Sequence, residues 1–202
     1  MNTVEDENSK FHTKIIESAH QVERKTWNEC ANFNNDDTNI GNPFLSHEFF
    51  CSLEDSGSVS KETGWISQHI LLSDSNSIVG ILPNFIKNHS WGEYIFDQVF
   101  AQALENAGGK YYPKLLSAVP FSPVPGERFL IKAGYDKKEI IKLLLNALEE
   151  LVKIYKVSSG HINFINKDQI KYFSSEHSWL ERQNIQFHWN NDNYENFDHF
   201  LS

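Results

Sequence analysis

The clearest hydrophobic pattern in the chain lies between positions 137 and 156, where apolar residues recur three and four positions apart. One broad helical face collects Ile140, Ile141, Leu144, Leu148, Leu151, Val152 and Tyr155. Asp136 stands directly before this run, in the place of a helix N-cap. The pattern therefore predicts a long amphipathic helix over 137–156, with Asp136 as its cap.

Two further apolar runs, 65–72 and 78–87, are separated by residues 74–77, which are Asp, Ser, Asn and Ser. This arrangement predicts a β-hairpin. Polar and apolar residues do not alternate cleanly along either run, so we expect the hairpin to be buried on both faces. Pro83 has no amide hydrogen and should lie at an edge or a bulge.

The remaining elements are shorter and mix both kinds of secondary structure. Strands are predicted at 11–16, 111–119, 128–132, 161–165 and 185–189, and helices at 22–33, 97–107, 167–177 and 196–202. A further helix begins after the N-cap candidate Ser46 and ends at Gly57. Residues 1–9 are expected to form a disordered tail. Without a strict strand–helix–strand repeat, the mixture predicts an α/β or α+β fold with a mixed sheet.

Composition and charge narrow the class of protein. The 202 residues are 40% hydrophobic, which is enough for one domain with a substantial core. The net charge of −9 argues against nucleic-acid binding through phosphate contacts. The N-terminus lacks the features of a signal peptide, and no apolar run approaches the roughly 20 residues of a membrane helix. We therefore expect a cytoplasmic protein in which Cys30 and Cys51 are buried free thiols, with a disulfide as the alternative.

The candidate binding surface lies within residues 90–126, which hold several aromatic residues, four of the six prolines and the only Gly-Gly pair. In its second half, Lys114 is a candidate for binding a phosphate or carboxylate, and Tyr111 and Tyr112 for contacting a sugar or peptide. The alternative is that the tyrosines pack on the sheet and Lys114 is solvated. Strand alternation would place Tyr112 and Lys114 on one face and Tyr111 on the other.

Two carboxylates stand in the first half of this stretch. Glu93 and Asp97, with Tyr94 between them, could lie near a substrate amine and act as proton acceptor or electrostatic anchor. For Asp97 the favoured alternative is a helix N-cap. Glu93 has no capping role and is therefore the candidate catalytic residue.

Three further features complete the candidates. Phe121 belongs to a stiff proline-rich loop that either lines a pocket or serves as a crossover between strands. Arg128 is a candidate for binding an anion, with pairing to a surface carboxylate as the alternative. The nine histidines show no metal-binding spacing, so no metal is expected.

Five segments carry a resemblance to a known family: NPFLSHEFF, SLEDSGSVSKETGW, SWGEYIFD, AGGKYYPKL and AVPFSPVPG. Together with FHWNNDNYENFDHFLS near the end, they resemble the FemAB-like bacterial proteins over about residues 42–202. Such proteins are described as peptidoglycan biosynthesis/recognition proteins or as acyltransferases of the GNAT superfamily. The resemblance implies a GNAT-like mixed β-sheet flanked by helices.

The resemblance also implies a function. It indicates an N-acyl- or aminoacyltransferase domain that binds an amine acceptor, with a peptidoglycan precursor as the candidate. The donor would be acyl-CoA or aminoacyl-tRNA. The sequence shows no glycine-rich loop at a helix start, because Gly108-Gly109 follows a predicted helix. The alternatives are a non-catalytic recognition module of the same fold and an inactive fragment.

In similar proteins a basic helix and a second GNAT-like domain follow the motif that ends this chain. We therefore expect residues 10–202 to be an N-terminal GNAT-like domain, truncated before that helix and inactive alone. Its missing C-terminal half would be one partner and a small molecule or cell-wall precursor the other. The sequence offers no direct evidence for a nucleic-acid partner.

Overall fold

A computed structural model describes residues 10–33, 41–173, 179–183, 185–187 and 189–202. The strands are β1 His12–Ile16, β2 Trp65–Ser67, β3 His69–Ser73, β4 Ile78–Leu82, β5 Phe85–Lys87, β6 Lys114–Ser117, β7 Leu130–Ile131 and β8 Gly160–Ile162. The helices are α1 Arg24–Cys30, α2 His47–Asp55, α3 Gln98–Asn106, α4 Lys137–Tyr155, α5 Lys167–Ile170 and α6 Phe197–Leu201. Within these described residues, no helix combines the length and apolar character needed to cross a membrane.

The strands form two four-stranded sheets. The first has the order β1-β3-β4-β7 and is antiparallel throughout. The second has the order β2-β5-β6-β8, in which β6 and β8 run parallel and the other pairs antiparallel. The predicted mixed α/β class with flanking helices is confirmed, although the strands divide between two sheets.

One long hairpin belongs to both sheets and is interrupted where they meet. The Gln68 amide donates to the Asn84 carbonyl at 2.7 Å, and the Asn84 amide donates to His69 Nδ1 at 3.1 Å. Pro83 lies in this interruption between β4 and β5, where no amide hydrogen is needed for a ladder. The predicted hairpin is confirmed, whereas Pro83 lies at a break between two strands and not at the predicted edge or bulge.

Helices cover both faces of the first sheet. Leu71 and Ile81 belong to a core that includes Trp27 of α1 and Phe50 of α2. Ile70 of the same hairpin belongs to a second core, built on α4. Neighbouring residues of β3 thus enter opposite cores, which confirms the prediction of burial on both faces.

Among the predicted elements, the long helix over 137–156 agrees most closely with the structure, in which it is α4. The Asp136 side chain accepts a hydrogen bond from the Glu139 amide at 2.9 Å, which confirms it as the N-cap. Five of the predicted face residues are buried: Ile140, Ile141, Leu144, Leu148 and Leu151. The helix packs on Gly80 of β4, where a Cβ atom would lie 2.8 Å from Ile140 Cγ2. A side chain at position 80 would therefore separate helix and sheet.

Helix α2 is tied to the sheets through Glu54. Its carboxylate accepts hydrogen bonds from Ser18 Oγ at 2.6 Å, Ser67 Oγ at 2.8 Å and the Ala19 amide at 3.1 Å. Burial would raise the pKa of Glu54, but contacts from His69, Ser18 and Ser67 lower it to about 2. Ser46 caps the start of this helix by accepting from the Phe49 amide, as predicted.

Several predicted bounds are corrected. The predicted strand 111–119 is limited to Lys114–Ser117, and the helix 167–177 to Lys167–Ile170 in the described residues. The predicted strand 185–189 is wrong, because its described residues have no strand pairing. The predicted tail 1–9 lies outside the described residues.

The two cysteines are buried and free, in agreement with the prediction. Burial raises the pKa of Cys30 to about 12 and that of Cys51 to about 11. Both side chains are therefore neutral thiols at physiological pH, with no thiolate available for nucleophilic chemistry.

Candidate functional site

The centre of the candidate site is the ammonium group of Lys114, which lies at the start of β6 and is fully buried. Its Nζ donates to Ser90 Oγ at 2.8 Å, Glu93 Oε2 at 2.9 Å and Asp97 Oδ2 at 2.8 Å. An ammonium group has three N–H donors, so all of them are engaged. Lys114 therefore holds the two carboxylates in place and has no donor left for a ligand.

Glu93 and Asp97 are each 2% exposed, and each has one oxygen still unpaired. Glu93 Oε1 and Asp97 Oδ1 find no hydrogen-bond partner in the described part of the chain. Burial raises the pKa of Glu93 above its ordinary value. Burial acts on Asp97 in the same direction, but hydrogen bonds from Lys114 and Ser90 lower the pKa of Asp97 overall. Asp97 thus stays anionic, while Glu93 accepts a proton more readily.

Asp97 stands immediately before α3, yet its side chain makes no capping hydrogen bond. Its carboxylate points to Lys114 and also accepts from the Tyr111 hydroxyl at 2.9 Å. The favoured alternative for Asp97, a plain N-cap, is therefore wrong. A buried ammonium attracts a carboxylate more strongly than a helix terminus does, which explains the choice.

Both tyrosine hydroxyls reach the same cluster. The Tyr111 hydroxyl donates to Asp97, and the Tyr112 hydroxyl lies 2.8 Å from Ser90 Oγ. The predicted separation of the tyrosines on opposite strand faces is wrong, because both precede β6 and lack strand alternation. The structure therefore brings five predicted residues together, and we call them, with Ser90, the Lys114 cluster: Glu93, Asp97, Tyr111, Tyr112 and Lys114.

A second buried lysine beneath the cluster was not among the predicted site residues. Lys87 is the cross-strand partner of Lys114, and its Nζ donates to the Trp91 carbonyl at 3.2 Å. The same Nζ lies 3.8 Å from the centre of the Trp65 ring. Burial, together with the charge of Lys114, lowers the pKa of Lys87 to about 7. Lys87 lies two positions after Phe85 on β5 and therefore shares its buried face, and this spacing is the sequence signal that could have revealed it.

The other three predicted residues lie apart from the Lys114 cluster. Tyr94 is 56% exposed. Phe121 packs against Trp65, with 5.3 Å between the two ring centres. Arg128 is buried, and its guanidinium donates to backbone carbonyls, those of Val124, Glu127 and Asn163. These contacts replace the anion or surface carboxylate that was expected as the partner of Arg128.

The chemistry available here is recognition of a cation or an amine. Unpaired carboxylate oxygens accept hydrogen bonds only, and an ammonium ligand supplies up to three donors. Burial strengthens such a contact because it is shielded from water. The described residues contain no group of three or more His, Cys, Asp or Glu side chains that could hold a metal ion.

Comparisons with known proteins identify the family of the chain. The fold and the Lys114 cluster define a mixed α/β protein with a buried polar centre. The model of the FemAB-like family, described as peptidoglycan biosynthesis/recognition, matches residues 18–202. The chain therefore belongs to the FemAB-like family. Among curated proteins, no significant match was found.

Solved structures with detectable likeness include acetyltransferases. A ribosomal-protein-alanine N-acetyltransferase from Brucella melitensis biovar Abortus 2308 is 10% identical, with 88% of this chain and 99% of that chain covered and a TM-score of 0.47. An aminoglycoside acetyltransferase from an uncultured soil metagenomic sample is 12% identical, with coverages of 91% and 97% and a TM-score of 0.47. At TM-scores below 0.5, these likenesses support no conclusion about this chain.

Proposed function

We propose that the chain is an acyltransferase-type domain that binds an amine acceptor and transfers an acyl or aminoacyl group to it. The single observation that carries the proposal is the pair of unpaired, buried carboxylate oxygens, Glu93 Oε1 and Asp97 Oδ1. Membership of the FemAB-like family supports this class, and the family description suggests a peptidoglycan precursor as the acceptor. The donor would be an acyl-CoA or an aminoacyl-tRNA.

The proposed reaction is attack of the acceptor amine on an ester or thioester carbonyl. The acceptor first binds as an ammonium ion between the two carboxylates. Glu93 takes one proton from it and leaves a neutral amine, which Asp97 continues to orient. The new C–N bond forms, the C–O or C–S bond of the donor breaks, and the leaving group takes up a proton. The raised pKa of Glu93 suits this role better than that of the more acidic Asp97.

A ligand can reach the Lys114 cluster only if the residues that bury it move. The side chains of Lys114, Glu93 and Asp97 are 1%, 0% and 3% exposed, respectively. Phe121, whose ring packs on Trp65 and on Gly92, the residue before Glu93, is 38% exposed and has a positive φ of 56°. A ring at the surface can rotate without breaking any hydrogen bond of the cluster, so Phe121 is the proposed entry point.

A second candidate function is recognition without catalysis. The specific observation in its favour is the same burial, because a closed ionic cluster can hold α3 against β6 without meeting a substrate. In that case the FemAB-like fold would present a binding surface and no transfer would occur.

Binding tests the proposed site directly. Saturation-transfer NMR with a soluble cell-wall precursor peptide that carries a free side-chain amine should show contact with the chain. Glu93→Gln should weaken binding by about tenfold or more, because a charge-assisted hydrogen bond is lost. Glu105→Gln is the matched control, since Glu105 is an exposed carboxylate on α3. Equal affinity of the wild type and Glu93→Gln would rule out the site.

A transfer assay separates the two candidate functions. The same peptide is incubated with the protein and either acetyl-CoA or an aminoacyl-tRNA, and the amide product is followed by mass spectrometry. Product that depends on Glu93 supports the transferase. Binding of the peptide without product from either donor supports the recognition module or the inactive fragment.

A further inference from the structure

The indole N–H of Trp65 is a buried donor without an acceptor. Trp65 begins β2 and is fully buried, and its Nε1 finds no partner among the described residues. Two other tryptophans satisfy theirs: Trp27 Nε1 donates to the Leu45 carbonyl at 3.0 Å, and Trp179 Nε1 donates to a carboxylate at 2.8 Å. Buried indole donors are normally paired, so the open donor of Trp65 indicates a missing acceptor.

Gly92 and Phe121 lie close to this donor. A Cβ atom on Gly92 would lie 3.4 Å from Trp65 Nε1 and 2.7 Å from two ring atoms of Phe121. Gly92 also has a φ of +78°, which disfavours any side chain. The absence of a side chain on Gly92, next to Glu93 in the chain, thus lets the Phe121 ring pack closely beside the indole edge, so the ring must move before a ligand can reach this donor.

Lys87 supplies positive charge at the same place. It is the cross-strand partner of Trp65, and its ammonium lies over the Trp65 ring. In the described structure one of its three donors is engaged, by the carbonyl of Trp91, the residue before Gly92. The unpaired N–H of Trp65 and the ammonium of Lys87, which lies over the same ring, thus offer a hydrogen bond and a positive charge to a carboxylate.

We propose that Trp65 and Lys87 form a carboxylate-binding subsite next to Glu93 and Asp97, so that the amine acceptor is a zwitterion with a carboxylate adjacent to its amine. This inference rests on the proposed function for the amine half of the ligand. The carboxylate half has its own evidence, the unpaired Trp65 donor and the buried Lys87 ammonium beside it. The ligand class is thus an α-amino acid or a peptide group that presents amine and carboxylate together.

Phe121 occupies the entrance to this subsite. Its ring lies against both Gly92 and Trp65 and is partly exposed. A ligand that displaces the ring gains access to the indole edge without disturbing the bonds of Lys114. A bound carboxylate would also stabilise the protonated form of Lys87, so we expect ligand binding to be accompanied by proton uptake near neutral pH.

Three small probes test the subsite on the whole chain: L-alanine, ethylamine, which lacks the carboxylate, and propionate, which lacks the amine. The indole signal of Trp65 is followed in nitrogen–proton NMR spectra and assigned with Trp65→Phe. We expect alanine to shift this signal and to bind about tenfold more tightly than ethylamine. Lys87→Met should reduce that preference to about threefold or less. Lys132→Met is the matched control and should leave the preference for alanine over ethylamine unchanged, because Lys132 pairs with Glu29 on the surface.

The outcomes separate this inference from the proposed function. If ethylamine binds in a Glu93-dependent manner and alanine binds no better, the subsite is refuted and the amine site stands. If propionate shifts the Trp65 signal while ethylamine does not bind, the subsite stands and the amine site fails. Should Lys87→Met not fold, Phe121→Ala provides the second variant. It should tighten alanine binding, and an unchanged or weaker affinity would count against the subsite.

Discussion

Replacing Lys114 with methionine removes the buried ammonium while keeping most of the side-chain volume. The substitution breaks three hydrogen bonds of 2.8 to 2.9 Å and leaves Glu93 and Asp97 buried without their shared cation. Loss of one partner from a buried ion pair costs about 3–5 kcal/mol. Because one ammonium serves two carboxylates here, we expect Lys114→Met to lower the free energy of unfolding by about 4 kcal/mol at pH 7.

Urea unfolding followed by far-ultraviolet circular dichroism measures this cost. Lys132→Met is the matched control, since Lys132 Nζ lies 3.0 Å from Glu29 Oε2 with side chains 31% and 39% exposed. An exposed pair of this kind contributes about 1 kcal/mol or less. The two variants should therefore differ by about 3 kcal/mol.

The pH dependence of the stability loss independently tests whether the loss comes from the buried carboxylates. Without Lys114, burial raises the pKa values of Glu93 and Asp97 in the folded variant above those in the unfolded chain. Such groups favour folding when protonated and oppose it as the pH rises, so the cost of Lys114→Met should grow from pH 4 to pH 7. A cost below about 1 kcal/mol, or one that does not change with pH, would refute the assignment of Lys114 as the cation of a buried network.

Three further substitutions test the surrounding framework by urea unfolding. The depressed pKa of Glu54, about 2, is worth about 3 kcal/mol at neutral pH, and this stability is lost as the pH falls below about 4.5. Glu54→Gln should therefore cost about 2–3 kcal/mol at pH 7 and flatten the acid limb, whereas exposed Asp55→Asn should not. Arg128→Lys should cost about 3 kcal/mol, because a compact ammonium cannot replace the planar guanidinium, whose three nitrogens each donate to a different carbonyl. Gly80→Ala should cost about 1–3 kcal/mol by overpacking Ile140. Losses below about 0.5 kcal/mol would contradict each expectation.

The sequence was sufficient where a local pattern decides the structure. The 137–156 helix, its Asp136 cap and the hairpin of the runs 65–72 and 78–87 were all predicted, because spacing, capping and turn chemistry act within a few residues. The predicted strand at 185–189 was wrong. Its alternating Ile185, Phe187 and Trp189 fit a strand in isolation, but strand formation requires a neighbour to pair with. No periodicity within a segment can supply that information.

The candidate site shows the same limit. Glu93, Asp97 and Lys114 are candidate site residues because they interrupt an aromatic stretch. Their spacing, however, does not predict their roles. Asp97 has a good local reason to cap α3, and only the approach of Lys114 from β6 explains why it does not. Lys87 escaped notice because its significance comes from the register of β5 against β6, between residues far apart in the chain.

The register also bears on whether the cluster exists for stability or for function. Lys87 and Lys114 are opposite each other on neighbouring strands, an arrangement in which like charges repel. Two carboxylates offset this repulsion, but all four charged groups lose their contact with water. Well-packed apolar residues in their place would commonly give the fold at least the same stability. The network also leaves open two carboxylate oxygens and the Trp65 indole donor. A purely structural requirement would not favour this arrangement. Its open groups have complementary chemistry, and a ligand that carries both an amine and a carboxylate explains them better.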